Sequence, residues 1–267
     1  MIRNPAVAGQ FYPASPKALK DLIGSFVDKA AKRQRAIGII SPHAGYIYSG
    51  AVAGALFSCV EIPDTIVILG PNHTGAGSRF SIYSQGSWRT PLGEVKIDSS
   101  LAKDIQSRCS LIKADTAAHT YEHSLEVQLP FIQYFRKEFK IVPVVLNHAD
   151  NDTYKEIAEA IASAIRDSEK EVLIVASSDM THYEKYDRAK EKDKIAIDAI
   201  LNLDETLLLK KVSEYNISMC GVVPSVIMLT AAKSLGAKMA RLIRYQTSGD
   251  VSGDYSAVVG YASIVIE

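Results

Sequence analysis

Short, almost wholly apolar runs punctuate the chain: Ala36 to Ile40, Thr65 to Leu69, Ile141 to Leu146 and Val172 to Ala176. Their length and lack of helical spacing mark buried strands. Between them the apolar positions fall at helical intervals. Pro16 opens a helix through Leu19, Ile23 and Phe26, with Ser15 as cap and Lys29, Lys32, Arg33 and Arg35 extending its C-terminal half. Ser49 to Phe57 is rich in small residues, as in a helix packed closely on a sheet. Ser99 caps a helix through Cys109, and Asn151 or Asp152 caps one that runs to about Ser168. Charged helices follow over Asp187 to Leu203 and Asp204 to Tyr215, and Gly221 opens another through Leu235. Phe80 to Tyr83 and Gly86 to Val95 read as a hairpin pair. Leu125, Leu129 and Ile132 predict a helix kinked at Pro130. Two last strands, Ala240 to Gln246 and Tyr255 to Ile266, flank the turn-rich Thr247 to Asp254.

Strands alternating with helices predict an α/β fold: one domain over residues 1–267, with a central mixed, mostly parallel sheet and helices on both faces. The βαβ crossovers should be right-handed. No repeat, low-complexity tract or linker divides the chain.

Composition narrows the function. Thirty basic residues balance thirty acidic ones and no stretch collects five like charges, so binding to nucleic acid or an anionic membrane has no electrostatic footprint. The start lacks the apolar core of a signal peptide, and no apolar run approaches the roughly 20 residues that span a bilayer. A cytoplasmic protein is expected. Cys59, Cys109 and Cys220 form no CxxC pair, against both a disulfide scaffold and a structural zinc knuckle.

The candidate chemistry sits where strands end. The first run leads into Pro42-His43-Ala44-Gly45, the second into Pro71-Asn72-His73, and the fourth into Ser177-Ser178-Asp179-Met180-Thr181-His182. In open α/β sheets ligands bind in the crevice outside the carboxyl ends of the strands, and imidazoles from separate strands can converge on one metal ion. Asp179 would either bind that ion, giving two histidines and a carboxylate, or orient a histidine from behind. Cys220 precedes Gly221 at a helix N-terminus, where the dipole favours a thiolate that serves as ligand or nucleophile. His123 and Glu126 lie one turn apart beside Glu122 and suit either a pocket or a helix start. His119 and His148 read as structural or peripheral. Ser41, Ser177 and Ser178 stand near strand ends, but no G-x-S-x-G elbow supports a serine hydrolase, and Gly70 to Gly77 matches no nucleotide-binding loop.

At these residues the chain resembles the Memo family, known in microbes as AmmeMemoRadiSam system protein B. Ala8-Gly9-Gln10-Phe11-Tyr12-Pro13, Pro42-His43-Ala44-Gly45-Tyr46, Gly70-Pro71-Asn72-His73, Glu122-His123-Ser124-Leu125-Glu126, Ser178-Asp179-Met180-Thr181-His182-Tyr183 and Cys220-Gly221 stand in the family's order. That family is similar in fold to class III extradiol dioxygenases of the protocatechuate type, which hold iron(II) on two histidines and a glutamate. The resemblance implies a mononuclear non-haem site with His43, His73 and Cys220 as ligands, the cysteine standing where the dioxygenases have glutamate. It implies His182 as acid/base, with Asp179 and His123 nearby, and iron(II), or else copper or zinc, as cofactor. The implied function is redox chemistry on dioxygen or a small organic substrate. A peptide- or anion-binding module, with a phosphopeptide-like ligand, and an intracellular iron or copper carrier are the alternatives, and radical SAM and AMMECR-type proteins are the implied partners.

Overall fold

A computed structural model describes residues 1–267. In chain order, β1 (Ile2–Arg3) and an irregular arm lead to α1 (Pro16–Phe26), β2 (Gly38–Ser41), α2 (Tyr46–Cys59) and β3 (Thr65–Pro71). Next come β4 (Phe80–Ile82), β5 (Ser87–Thr90), β6 (Gly93–Ile97), α3 (Ser99–Arg108), β7 (Lys113–Ala114), α4 (Ala117–Thr120), α5 (Gln128–Phe135) and β8 (Lys140–Leu146). The rest holds α6 (Asn151–Asp167), β9 (Val172–Ser177), β10 (His182–Glu184), α7 (Tyr186–Leu201), α8 (Glu205–Glu214), α9 (Val222–Ser234), β11 (Ala240–Thr247), α10 (Gly249–Ser252) and β12 (Val258–Ile266).

All twelve strands join one sheet of order β1-β5-β6-β8-β3-β9-β2-β12-β10, with β11 beside β12, β4 beside β8 and β7 beside β4. The centre, β6-β8-β3-β9-β2, is parallel throughout. Antiparallel β12 closes one side of it, and the antiparallel pairs β5–β6 and β4–β8 lie on the other. Helices α3, α6 and α9 pack on one another with α9 against β2, β3 and β9, while α1, α2 and α5 form the second layer. Buried on both faces, β3 has no exposed residue, which is why its sequence does not alternate. No helix is long and apolar enough to cross a membrane.

Two prolines sit where a missing N–H is tolerated. Pro143 interrupts an otherwise apolar central strand, a position normally closed to proline. It falls at a seam in the neighbouring pairing, because β6 pairs with Lys140 and Ile141 while β4 pairs with Val144, Val145 and Leu146. Pro130 causes no kink: α5 begins only at Gln128, so the proline lies in a first turn whose amides have no partner within the helix.

Other boundaries depart from the sequence reading for local reasons. Helix α1 ends at Phe26, whose ring and backbone fill the space a Cβ would take at Gly50 and Gly54 of α2, so the basic run Lys29 to Arg35 lies beyond the helix. Asp98 and Asp150, each one residue ahead of the expected cap, accept the amides of Leu101 (3.2 Å) and Thr153 (2.8 Å). Phe80 to Ile82 is wholly buried and pairs with β8 instead of completing a hairpin with β5. The turn-rich segment before β12 holds the short helix α10.

The N-terminal arm is fixed by one buried ion pair. The Arg3 guanidinium, stacked 4.2 Å over Trp88, donates to Glu126 Oε2 (2.6 Å) and to the carbonyls of His119 and Glu122, both at 2.7 Å. Glu126 also accepts the amides of Ala6 (2.7 Å) and Val7 (3.1 Å) and the Tyr12 hydroxyl (2.5 Å). Beside the pair, the fully buried His119 meets Tyr83 and Trp88 edge-on, and neither ring nitrogen has a protein partner. Burial, followed by the Arg3 charge, pushes its pKa down to about 3.

Two outcomes follow from this network. Arg3→Met leaves the Glu126 carboxylate buried without its counter-ion and should cost about 3 kcal/mol, read as a lower urea midpoint at unchanged slope and as new protease cleavage before Pro13. His119 stays neutral in the folded chain, whereas the unfolded chain takes up its proton below about pH 6.5. Its contribution therefore favours folding at neutral pH and is lost as pH falls from about 6.5 toward 3. The wild type should lose about 2 kcal/mol more than His119→Phe between pH 7 and 5, and equal losses in urea titrations would show that the ring is not held neutral.

Candidate metal centre

The carboxyl ends of β3, β9 and β2 point the same way, and the loops leaving them carry His73, Asp179 and His43 in turn. Antiparallel β12 starts on this edge, where Val259 lies opposite His182 of β10. Cys220 arrives from the other direction, just ahead of α9. Gly221 allows this approach: a Cβ there would overlap the Ser177 carbonyl and the Ser178 side chain, and its amide donates to Ser178 Oγ (3.1 Å).

Hydrogen bonds fix the tautomers of two histidines. Ser177 Oγ gives its one proton to the Ser124 carbonyl (2.7 Å) and accepts from Gln128 Nε2 (2.9 Å). His43 Nδ1, also 2.9 Å from that oxygen, must then be the N–H donor, which leaves the lone pair on Nε2. Glu122 does the same for His73. Its fully buried carboxylate accepts the His73 amide (2.7 Å), the Ser124 amide (2.9 Å) and His73 Nδ1 (2.9 Å). Burial alone would raise the Glu122 pKa, but the His73 ring and these amides outweigh it and hold it at about 2. The carboxylate is ionised and the His73 lone pair is on Nε2.

The other side chains close around these two. His123 stacks on His73 with ring centres 4.8 Å apart, 5.6 Å from that of His43 and edge-on to Phe11. Donor nitrogens of His43, His73 and His123 all lie within 4.8 Å of one another. Cys220 Sγ stands 3.2 Å from His43 Nε2 and accepts the Asp179 amide at 3.3 Å. Asp179 accepts the His43 amide at 2.7 Å; burial raises its pKa and this amide opposes the rise. His182 donates Nδ1–H to the Ser218 carbonyl (3.0 Å), so its Nε2 carries the free lone pair. A cavity of about 510 Å³ opens over the four histidines and Asp179, bounded by Phe11, Tyr48, Tyr183 and Tyr261 and reaching Ser248 and Asp254.

The structure thus brings together all six residues singled out from the sequence: His43, His73, His123, Asp179, His182 and Cys220. The donor group that can share one ion is three imidazoles, with Cys220 joined to it through His43. Burial pushes the Cys220 thiol up, with Asp179 adding to it and the Asp179 and Gly221 amides opposing, which reverses the thiolate expected from the helix position alone. His119 and His148 lie elsewhere, the first in the core and the second exposed. Ser177 is an acceptor for His43 and not a nucleophile. Gln128 and Ser218 were missed, because only the fold places an amide and a carbonyl behind a histidine; a glutamate next to His123 was the one local signal for Glu122.

The donor chemistry fits a metal. Two imidazoles that line one cavity have Nδ1–H committed to buried acceptors and the lone pair left on Nε2, as an outer hydrogen bond arranges for a metal-binding histidine. Fold and pocket together define an α/β protein with a histidine-lined candidate metal site at the carboxyl edge of its sheet. The family model for Memo-like proteins matches residues 3–265. A MEMO1 family protein of Methanosarcina mazei is 47% identical, covering 100% of this chain and 99% of its own, and one of Methanopyrus kandleri is 44% identical at 99% of each. The chain belongs to the Memo family. Among solved structures, an uncharacterized protein of Escherichia coli K12 shares the fold at a TM-score of 0.57, over 85% of this chain and 98% of that one, with 13% identity.

The assigned tautomers are open to measurement. Nitrogen-15 histidine spectra of chelator-treated protein should show His43 and His73 protonated on Nδ1. Ser177→Ala should shift His43 toward the Nε2–H form and leave His73 unchanged.

Proposed function

We propose that this protein holds a single non-haem metal ion, iron(II), on His43, His73 and Cys220, and that it carries out redox chemistry on dioxygen or a small organic substrate in the cavity above. The observation that supports this most directly is the pair of Nε2 lone pairs fixed by Ser177 and Glu122, with a sulfur 3.2 Å from one of them. Bound there, the ion supplies Lewis acidity and a one-electron couple. Imidazole with thiolate suits iron, zinc or copper(I); the family's likeness in fold to the iron(II)-holding extradiol dioxygenases favours iron, with cysteine in place of their glutamate.

The chain's own groups divide the remaining work. His182, protonated on Nδ1 by its bond to Ser218, offers Nε2 as the base that takes a proton from a substrate hydroxyl and later returns it. Asp179 holds the loop of His43 by accepting its amide, which sets the angle at which that ring enters the cavity. His123 walls the cavity between Phe11 and His73. Tyr48, Tyr183 and Tyr261 give a small organic molecule apolar ring faces and hydroxyls to lie against.

Elemental analysis should find about one metal per chain, and His43→Ala or His73→Ala should lower iron(II) affinity by about a hundredfold or more while the domain still melts cooperatively. Oxygen uptake by the iron-loaded protein across a panel of small hydroxylated substrates tests turnover, and His182→Gln should slow it without releasing iron. Binding without oxygen uptake would turn the reading to a metal carrier. Unchanged partner binding by metal-free protein would turn it to a binding module.

A further inference from the structure

We infer that the centre has two overlapping donor sets that share His43 and His73 and are completed by either Cys220 or His123, so that the thiolate is an exchangeable ligand and the ion remains bound when sulfur leaves. The inference rests on the metal reading above and extends it to how the site changes coordination.

Three observations carry it. First, the donor nitrogens of His43, His73 and His123 already lie within 4.8 Å of one another, and nitrogens about 2.1 Å from one tetrahedral ion stand roughly 3.4 Å apart. The widest pair has to close by roughly 1.4 Å when an ion binds. Second, His123 has no competing commitment. Its Nδ1 is 3.7 Å from Glu122 Oε1, beyond a hydrogen bond, and the ring is held by stacking on His73 and by the Phe11 edge. Third, the sulfur is supported by the protein without an ion. Where it stands, Cys220 accepts the Asp179 amide at 3.3 Å and lies 3.7 Å from the Asp179 carbonyl, within range of an S–H donor.

These contacts differ in kind. Cys220 has its own protein partners and touches the imidazoles through His43, while the His123 ring makes no hydrogen bond and packs against the imidazoles themselves. A tetrahedral ion bound by three imidazoles keeps a position open for the sulfur.

Cobalt(II) added anaerobically to the full chain separates the cases, with affinity read by chelator competition and sulfur ligation by the thiolate-to-metal charge-transfer band. The wild type should bind one equivalent and show the band. Cys220→Ser should keep one equivalent within about tenfold of wild-type affinity and lose the band, and His123→Ala should keep both the metal and the band. The double variant should lose more than about a hundredfold, beyond the effect of an outer-shell change. Thermal melts confirm that each variant is folded, and Cys220→Ala with His123→Gln repeats the cycle with other side chains. The proposal is overturned if Cys220→Ser or His123→Ala alone empties a folded site, or if the double variant binds as well as Cys220→Ser. A wild type that binds no cobalt removes the metal reading itself, a separate result.

Discussion

Everything the pocket can do depends on where two protons reside. A neutral imidazole has one N–H and one lone pair, and which nitrogen holds which is decided by its neighbours. Here the neighbours are buried and fully engaged, so the answer is unambiguous: Ser177 has no proton left to offer His43, and Glu122 has only acceptors to offer His73. In a medium of low dielectric these bonds are stronger than in water, and an unpaired alternative is expensive. The two rings are thereby aimed before any ligand arrives.

The acceptors are themselves held from a distance. Ser124, which takes the Ser177 proton, and Glu122, which takes that of His73, lie on the segment that also carries Glu126, and Arg3 ties both the Glu122 carbonyl and the Glu126 carboxylate to the start of the chain. The arm that ends at Tyr12 also delivers Phe11 to an edge-on contact with His123. What looks like a terminal tail is a wall of the cavity, and its buried ion pair sets position at a site whose chemistry it never touches.

Much of this was legible in the sequence, for physical reasons. Apolar runs too short for helices, each followed by a histidine, announced strands of a buried sheet and the edge where their loops meet; His43, His73 and His182 could be read directly. Cys220 could be placed at a helix start, but its protonation preference could not, because burial beside Asp179 is a property of packing and outweighs the local amides. Neither could the orienting groups be read: Gln128 reaches Pro42 and Ser177 across the interior, a separation at which side-chain spacing carries no signal. The failures at α1, β4 and Pro130 share one origin. In each, a neighbouring element, or the real start of a helix, set a boundary that local propensity placed elsewhere.

The groups of this centre are drawn from nearly the whole length of the chain: His43 and Cys220 are 177 residues apart, and Arg3 and Glu126 are 123 apart. On the ribosome, no nascent fragment that stops short of Cys220 contains every group of the pocket, and loop closure of this span comes late because its entropic cost precedes any contact. Assembly of the pocket is consequently coupled to completion of the tertiary structure, and its finished geometry is a signature of a fully folded chain.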